Sequence, residues 1–119
     1  MFTSGSLLRT YFTVGGNDFC VDTAVILYPN NRLDFETMFF RMVKDDVVFD
    51  ESFDESHATS FEDCKRKHEA MVKKYTVPFG VTHCETDDSG IDRVLKELSE
   101  SMLQLASERK QLEKALALM

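Results

Sequence analysis

From Ile91 to the end, the chain holds no glycine or proline, and its apolar residues return at every seventh position. Ile91, Leu98, Leu105, Leu112 and Met119 form one series, and Leu95, Met102, Arg109 and Leu116 form a second, displaced by four. Two series spaced alternately by three and four mark a helix with one narrow apolar seam. With the second series as a positions and the first as d positions, the heptad pattern is broken only by Arg109. A helix laid on a sheet uses a broader stripe and rarely keeps a strict seven-residue period for four heptads. Fully helical, the segment is a rod about 43 Å long, whereas a compact chain of this length has a radius of gyration of about 13–14 Å. The seam therefore predicts pairing with a helix outside the chain's own body, foremost the same helix of a second copy. The competing outcome is a helix folded back over the chain's own sheet. Arg109 at an a position costs stability and constrains register. Glu108 at g and Glu113 at e would face each other in a parallel pair, with a facing Arg109 to offset them, so orientation stays open.

Upstream the period changes from helical to alternating. Residues 6–14, 19–28, 32–43 and 46–53 carry β-branched and aromatic residues in partial alternation, separated by Gly15-Gly16-Asn17-Asp18 and Pro29-Asn30-Asn31. Such short connections predict an antiparallel meander of three to four strands. In the third strand Leu33, Phe35, Thr37 and Phe39 face one way and Asp34, Glu36, Met38 and Phe40 the other; in the fourth, Val47, Phe49, Glu51 and Phe53 share a side. Thr59-Ser60-Phe61-Glu62 is a capping box with Thr59 as the cap. Phe61, Cys64, His68, Met71, Val72 and Tyr75 follow at helical spacing, predicting an amphipathic helix over about 60–75, which Pro78 and Gly80 end. The expected fold is α+β: an antiparallel meander packed by one amphipathic helix, then a long C-terminal heptad helix. The expected organisation is a small domain over 1–80, a linker over 81–90 and the helix over 91–119.

Charge narrows the partners. The formal net charge is −7, which opposes binding through a nucleic-acid backbone or to an anionic membrane surface. No apolar run approaches the roughly 20 residues that span a bilayer, and the N-terminus lacks the basic start and apolar run of a signal peptide. Three widely spaced cysteines, Cys20, Cys64 and Cys84, fit reduced thiols. The charge is also segregated: residues 45–63 hold eight acidic groups and no lysine or arginine, while 64–79 hold five basic groups and one acidic.

The acidic block contains a tandem repeat, Phe49-Asp50-Glu51-Ser52 and Phe53-Asp54-Glu55-Ser56. A calcium loop needs alternating carboxylates, a glycine for its sharp turn and a closing glutamate, and this repeat has no glycine. Its carboxylates, Asp45, Asp46, Asp50, Glu51, Asp54 and Glu55, suit a solvated strand edge, where charge discourages unwanted strand pairing. A protein-facing surface is the next reading. A zinc set of Cys64, His68, His83 and Cys84 has two ligands four apart on one helix face but no paired-cysteine spacing. Cys64 or Cys84 with His57 or His68 has no surrounding nucleophile motif. His68, on an apolar stripe, is expected to be a buried polar residue held by a carbonyl or carboxylate, Glu36 being one candidate. No catalytic residue, metal ligand or cofactor is expected.

Two stretches, "LDFETMFF" (33–40) and "SFEDCKRKHEAMV" (60–72), resemble a family of small tailed-bacteriophage proteins with no established activity. Members carry an FETMVF-type strand and, after a variable loop, an [ST]xxEAxxGHxxxV-type helix. Phe35, Glu36, Thr37, Met38 and Phe40 match the strand; Ser60, Asp63, His68 and Val72 match the helix, with Asp63 for glutamate, Cys64 for alanine and Lys67 for glycine. The resemblance spans about 40 residues and leaves out the N-terminal strands and the heptads. It implies a strand-then-helix core and a phage origin, hence a place in the host cytoplasm or an assembled particle. The expected function is that of a non-enzymatic phage structural or accessory protein that self-associates or docks on another protein through Ile91, Leu95, Leu98, Met102, Leu105, Arg109, Leu112 and Leu116. A virion component is one form of this. The alternatives are an inhibitor of a host defence protein acting through the acidic 45–63 surface, and a small metal-dependent enzyme.

Overall fold

The computed structural model describes residues 2–118; Met119, the last d position of the seam, lies outside them. Four long strands, β1 (Ser4–Val14), β2 (Asn17–Leu27), β3 (Leu33–Val43) and β4 (Asp46–Ala58), precede helix α1 (Phe61–Thr76). A 3-10 turn (Val77–Phe79), a short strand β5 (Glu85–Asp87) and helix α2 (Ile91–Ala117) complete the chain. The strands make one antiparallel sheet in the order β4-β3-β2-β1-β5. The expected meander is present as β1 to β4. The sheet has five strands rather than three or four, because the segment expected to be a linker supplies Glu85–Asp87 to the free edge of β1.

Local chemistry sets the hairpins. Val14 pairs with Asn17 across Gly15 and Gly16, whose φ values of 58° and 80° suit a two-residue turn that glycine adopts without strain. Val43 pairs with Asp46 across Lys44 and Asp45, also at positive φ, 52° and 67°. In β4 the expected facing of Phe49 and Phe53 on one side does not hold. Its register against β3 slips twice, between Phe39 and Phe40 and between Phe40 and Met42, and each extra residue resets the alternation. Phe53 therefore joins Phe19 and Phe39 on one face, while Phe49 sits edge-on to Phe40 on the other.

Both helices lie on the same face of the sheet. Helix α1 starts one residue later than the capping box implied: Ser60, not Thr59, accepts the amide of Asp63. It seats Met71, with Val72 and Tyr75, on Phe12, Val21 and Phe39, and Tyr75 stacks on Phe39 at 4.1 Å between ring centres. Cys64 joins Leu7, Val25, Leu27 and Phe35 in a second cluster, which Val94 and Leu98 of α2 complete. The close approach of α2 to β1 needs Gly5, because a Cβ there would stand 2.9 Å from Val94 Cγ1. β5 joins the meander's sheet at the edge of β1, and Val94 and Leu98 in the first half of α2 pack into the meander's core. Only the end of α2 leaves it. The molecule measures 65 × 27 × 23 Å with a radius of gyration of 17.8 Å, well above the compact expectation of about 13–14 Å.

Candidate interaction surface

The heptad seam is divided between two environments. Val94, Leu98 and Ser101 are buried, and Ile91, Leu95, Met102 and Leu105 are half-buried against the sheet. Beyond Leu105 every described residue of α2 is exposed. Leu112 is 61% exposed and Leu116 59%, so among the described residues nothing apolar covers these two leucines of the seam. The last 12 residues of α2, from Ala106, span about 18 Å at 1.5 Å per residue. The first part of the seam thus folds back over the chain's own sheet, and the second part is left unpartnered. Arg109 lies in the exposed part with its guanidinium 3.6 Å from Glu113 one turn on. Where the helix leaves the sheet, the β2–β3 turn (Pro29, Asn30, Asn31) and residues 105–113 of α2 border a groove of about 630 Å³.

No helix among the described residues is long and apolar enough to cross a membrane.

The acidic block is the edge strand of the sheet. Asp45 and Asp46 sit at the β3–β4 turn, and Asp50, Glu51 and Glu55 are exposed along β4. Glu51 lies 3.9 Å from Arg41. Asp54 differs from the rest. It faces α1 and accepts hydrogen bonds from Lys74 (2.8 Å) and Tyr75 (2.7 Å), and these two bonds hold its carboxyl below the usual range. The neighbouring basic segment is likewise engaged within the molecule: Arg66 donates to Asp63 and Lys67 to the His57 carbonyl.

His68 is buried, as its stripe implied, but its partners are not carboxylates. Nε2 lies 2.8 Å from Thr10 Oγ1 and Nδ1 2.7 Å from Thr23 Oγ1. Thr23 reaches Thr37 at 2.7 Å, and Thr10 reaches Thr86 at 2.9 Å. A chain of four hydroxyls and one imidazole thus ties α1 to β5, β1, β2 and β3. Glu36 cannot be the lock: it alternates with Phe35 and Thr37 and so faces the other side of the sheet. That outcome follows from strand register, which brings Thr10, Thr23 and Thr37 under the helix; their shared helix-facing parity in three strands was the available signal.

On the other face Glu36 stands beside Asp34 on β3 and His57, its cross-strand neighbour on β4. One donor atom from each lies within 4.8 Å of the others, the separation at which a divalent cation could be gathered, and His57 Nδ1 is 3.1 Å from Asp34. Desolvation first, then Asp34 and Glu55, raise the Glu36 carboxyl, with His57 opposing. The zinc set weighed from sequence is dispersed. Cys64 donates to the Phe61 carbonyl, both His68 nitrogens are engaged, and His83 and Cys84 are exposed.

Burial separates the thiols. It pushes Cys20 up to about 12 and Cys64 up to about 11, and of the three only Cys84 is exposed. One equivalent of a thiol reagent is expected to react with the native protein at mildly alkaline pH, and three after denaturation. Rapid native labelling of Cys20 or Cys64 would show that the core opens readily.

A concavity of about 760 Å³ lies between the β1–β2 hairpin and residues 79–85, with Asp18, Asp45, His83 and Glu85 on its border. His83 and Glu85 are 3.7 Å apart and exposed, and the two carboxyls Asp18 and Asp45 come from separate hairpins. No family model, curated protein or solved structure matches the chain.

Proposed function

We propose that the protein is a non-enzymatic structural or accessory protein of a tailed bacteriophage, which associates through the free half of α2. The observation that carries this reading is the continuation of the seam past the sheet. Leu112 and Leu116 keep the apolar spacing where no other described residue covers them. An apolar stripe kept on a projecting helix is disfavoured in water unless a partner buries it. The motif resemblance supplies the phage setting, as a virion component or a protein of the host cytoplasm. The acidic edge of β4 suits protection against strand pairing. Inhibition of a host protein through that edge is weakened by the inward engagement of Asp54 with Lys74 and Tyr75.

The test is sedimentation of the intact protein and of a Leu112→Asp, Leu116→Asp variant. Neither substitution touches the core, so both proteins should fold alike by circular dichroism. The unmodified chain should sediment above its 13.7 kDa monomer mass at tens of micromolar, and the variant as a monomer. A monomeric unmodified chain at that concentration sinks self-association.

A further inference from the structure

We infer that the partner of the free half of α2 is the same segment of a second copy, running antiparallel, with the tip of each helix seated against the β2–β3 turn of the other. The inference rests on the self-association proposed above and adds its orientation and register.

Two independent observations point the same way. The first is steric. The exposed residues Leu112 and Leu116 continue the same a and d series that carries Leu98 and Leu95 onto the sheet. The seam therefore faces the side on which the chain's own body lies. A parallel, in-register partner would have to bring its seam to the same side, and the two sheets would claim one space between the helices. An antiparallel partner meets the seam only from Leu105 outward, where the helix leaves the sheet. Its own sheet then lies past the tip of the first helix.

The second is electrostatic. In a parallel pair, g positions face e positions of the other helix, so Glu108 would meet Glu113 on both sides of the seam. In an antiparallel pair, e meets e and g meets g. Layering Leu105 on Leu116 of the partner subunit, and Arg109 on Leu112 of the partner subunit, then places Glu113 opposite Ala106 and Glu108 opposite Ala115. Each carboxylate faces a methyl group instead of a second carboxylate, and the alanines let the helices approach closely. Arg109 gains a role. Its aliphatic stem covers Leu112 of the partner subunit, and its guanidinium reaches Glu113 of the partner subunit on the shared side. Within one chain the same two residues are 3.6 Å apart and exposed. The layer of Leu105 also brings the partner's helix end to the groove bordered by Pro29 and Asn31, so the concavity at the root of the free helix is filled by the tip of the other.

Cysteine cross-linking on a Cys84→Ser background tests this, with Cys20 and Cys64 buried and silent. Leu105→Cys and Leu116→Cys proteins, mixed and oxidised, should form a disulfide between unlike chains, whereas Leu105→Cys alone should not, its two copies being about 16 Å apart along the axis. A readout that leaves the seam intact uses a spin label at Glu97→Cys. The antiparallel register separates the two labels by about 40 Å. Self-cross-linking of Leu105→Cys, or labels at position 97 within about 25 Å, the span of two adjacent helices 8–10 Å apart and their label arms, overturns the orientation while leaving helix association intact. A monomer by sedimentation overturns both.

Discussion

Leu98→Asp is expected to unfold the domain, while Leu112→Asp leaves it folded, although both residues occupy d positions of one seam. Leu98 is 5% exposed and packs with Leu7, Val25 and Val94. Removing a buried leucine costs about 2–5 kcal/mol, and an unpaired carboxylate in its place adds a further penalty of several kcal/mol. Together these approach the whole stability of a domain of this size, about 5–15 kcal/mol. Leu112 is 61% exposed, and its substitution should change the unfolding free energy measured in dilute solution by less than about 0.5 kcal/mol. Urea titration of the two variants below the association range checks the contrast. Equal effects would mean that the helix is bound to the sheet along its whole length, or along none of it.

That contrast also marks what the sequence could and could not say about α2. The period, the continuity and the length were legible, because helical spacing depends only on the chain's own repeat. The identity of the partner was not. A narrow seam can lie in the groove between two helices or along a single strand, and β1 offers Leu7 with glycine at position 5 to receive Val94. Val94 is one of the most buried residues of the helix at 2%, yet it falls outside both heptad series. The extra apolar position beside the d series was the sign that the first half faces a surface wider than a helix.

In the sheet, β1 to β3 were legible because their alternation is nearly unbroken, and Thr37, Phe35 and Phe39 face the helices as their parity requires. The faces of β4 were not, since register slips depend on the partner strand and leave no local mark. Strand β5 escaped for a related reason. Glu85, Thr86 and Asp87 have no apolar residue, are all exposed, and form a strand only because β1 has an edge to share. The partners of His68 were hidden in plain residues: Thr10, Thr23 and Thr37 read as ordinary strand formers until three registers align them beneath α1. Glu36 is one candidate by its charge, but its parity with Asp34 and Met38 places it on the far side.

The threonine–histidine chain gives the last expected result, an acid weakness centred on one buried ring. Burial pushes the His68 pKa down from 6.5 to about 4, outweighing the opposing pull of Asp22 and Glu69. Between those two values the unfolded chain binds a proton that the native protein refuses. Stability from this group is therefore complete above the unfolded pKa, near 6.5, and is lost as the pH falls from there towards the folded value of about 4; below that, both states are protonated and no more is lost. A gap of this size corresponds to roughly 3 kcal/mol. Glu36 acts in the opposite sense. Its raised carboxyl takes up a proton more readily in the native state and so favours folding as the medium is acidified. Subtraction isolates the imidazole. The unfolding free energy of the unmodified protein, taken between about pH 7.5 and 4.5, should fall by roughly 2–3 kcal/mol more than that of His68→Ala. At neutral pH the substitution itself should cost about 1–3 kcal/mol, because the hydroxyls of Thr10 and Thr23 each lose a buried partner. Parallel pH profiles for the two proteins would show that the native ring takes up a proton as readily as the unfolded one, and that the chain of hydroxyls accommodates a charge.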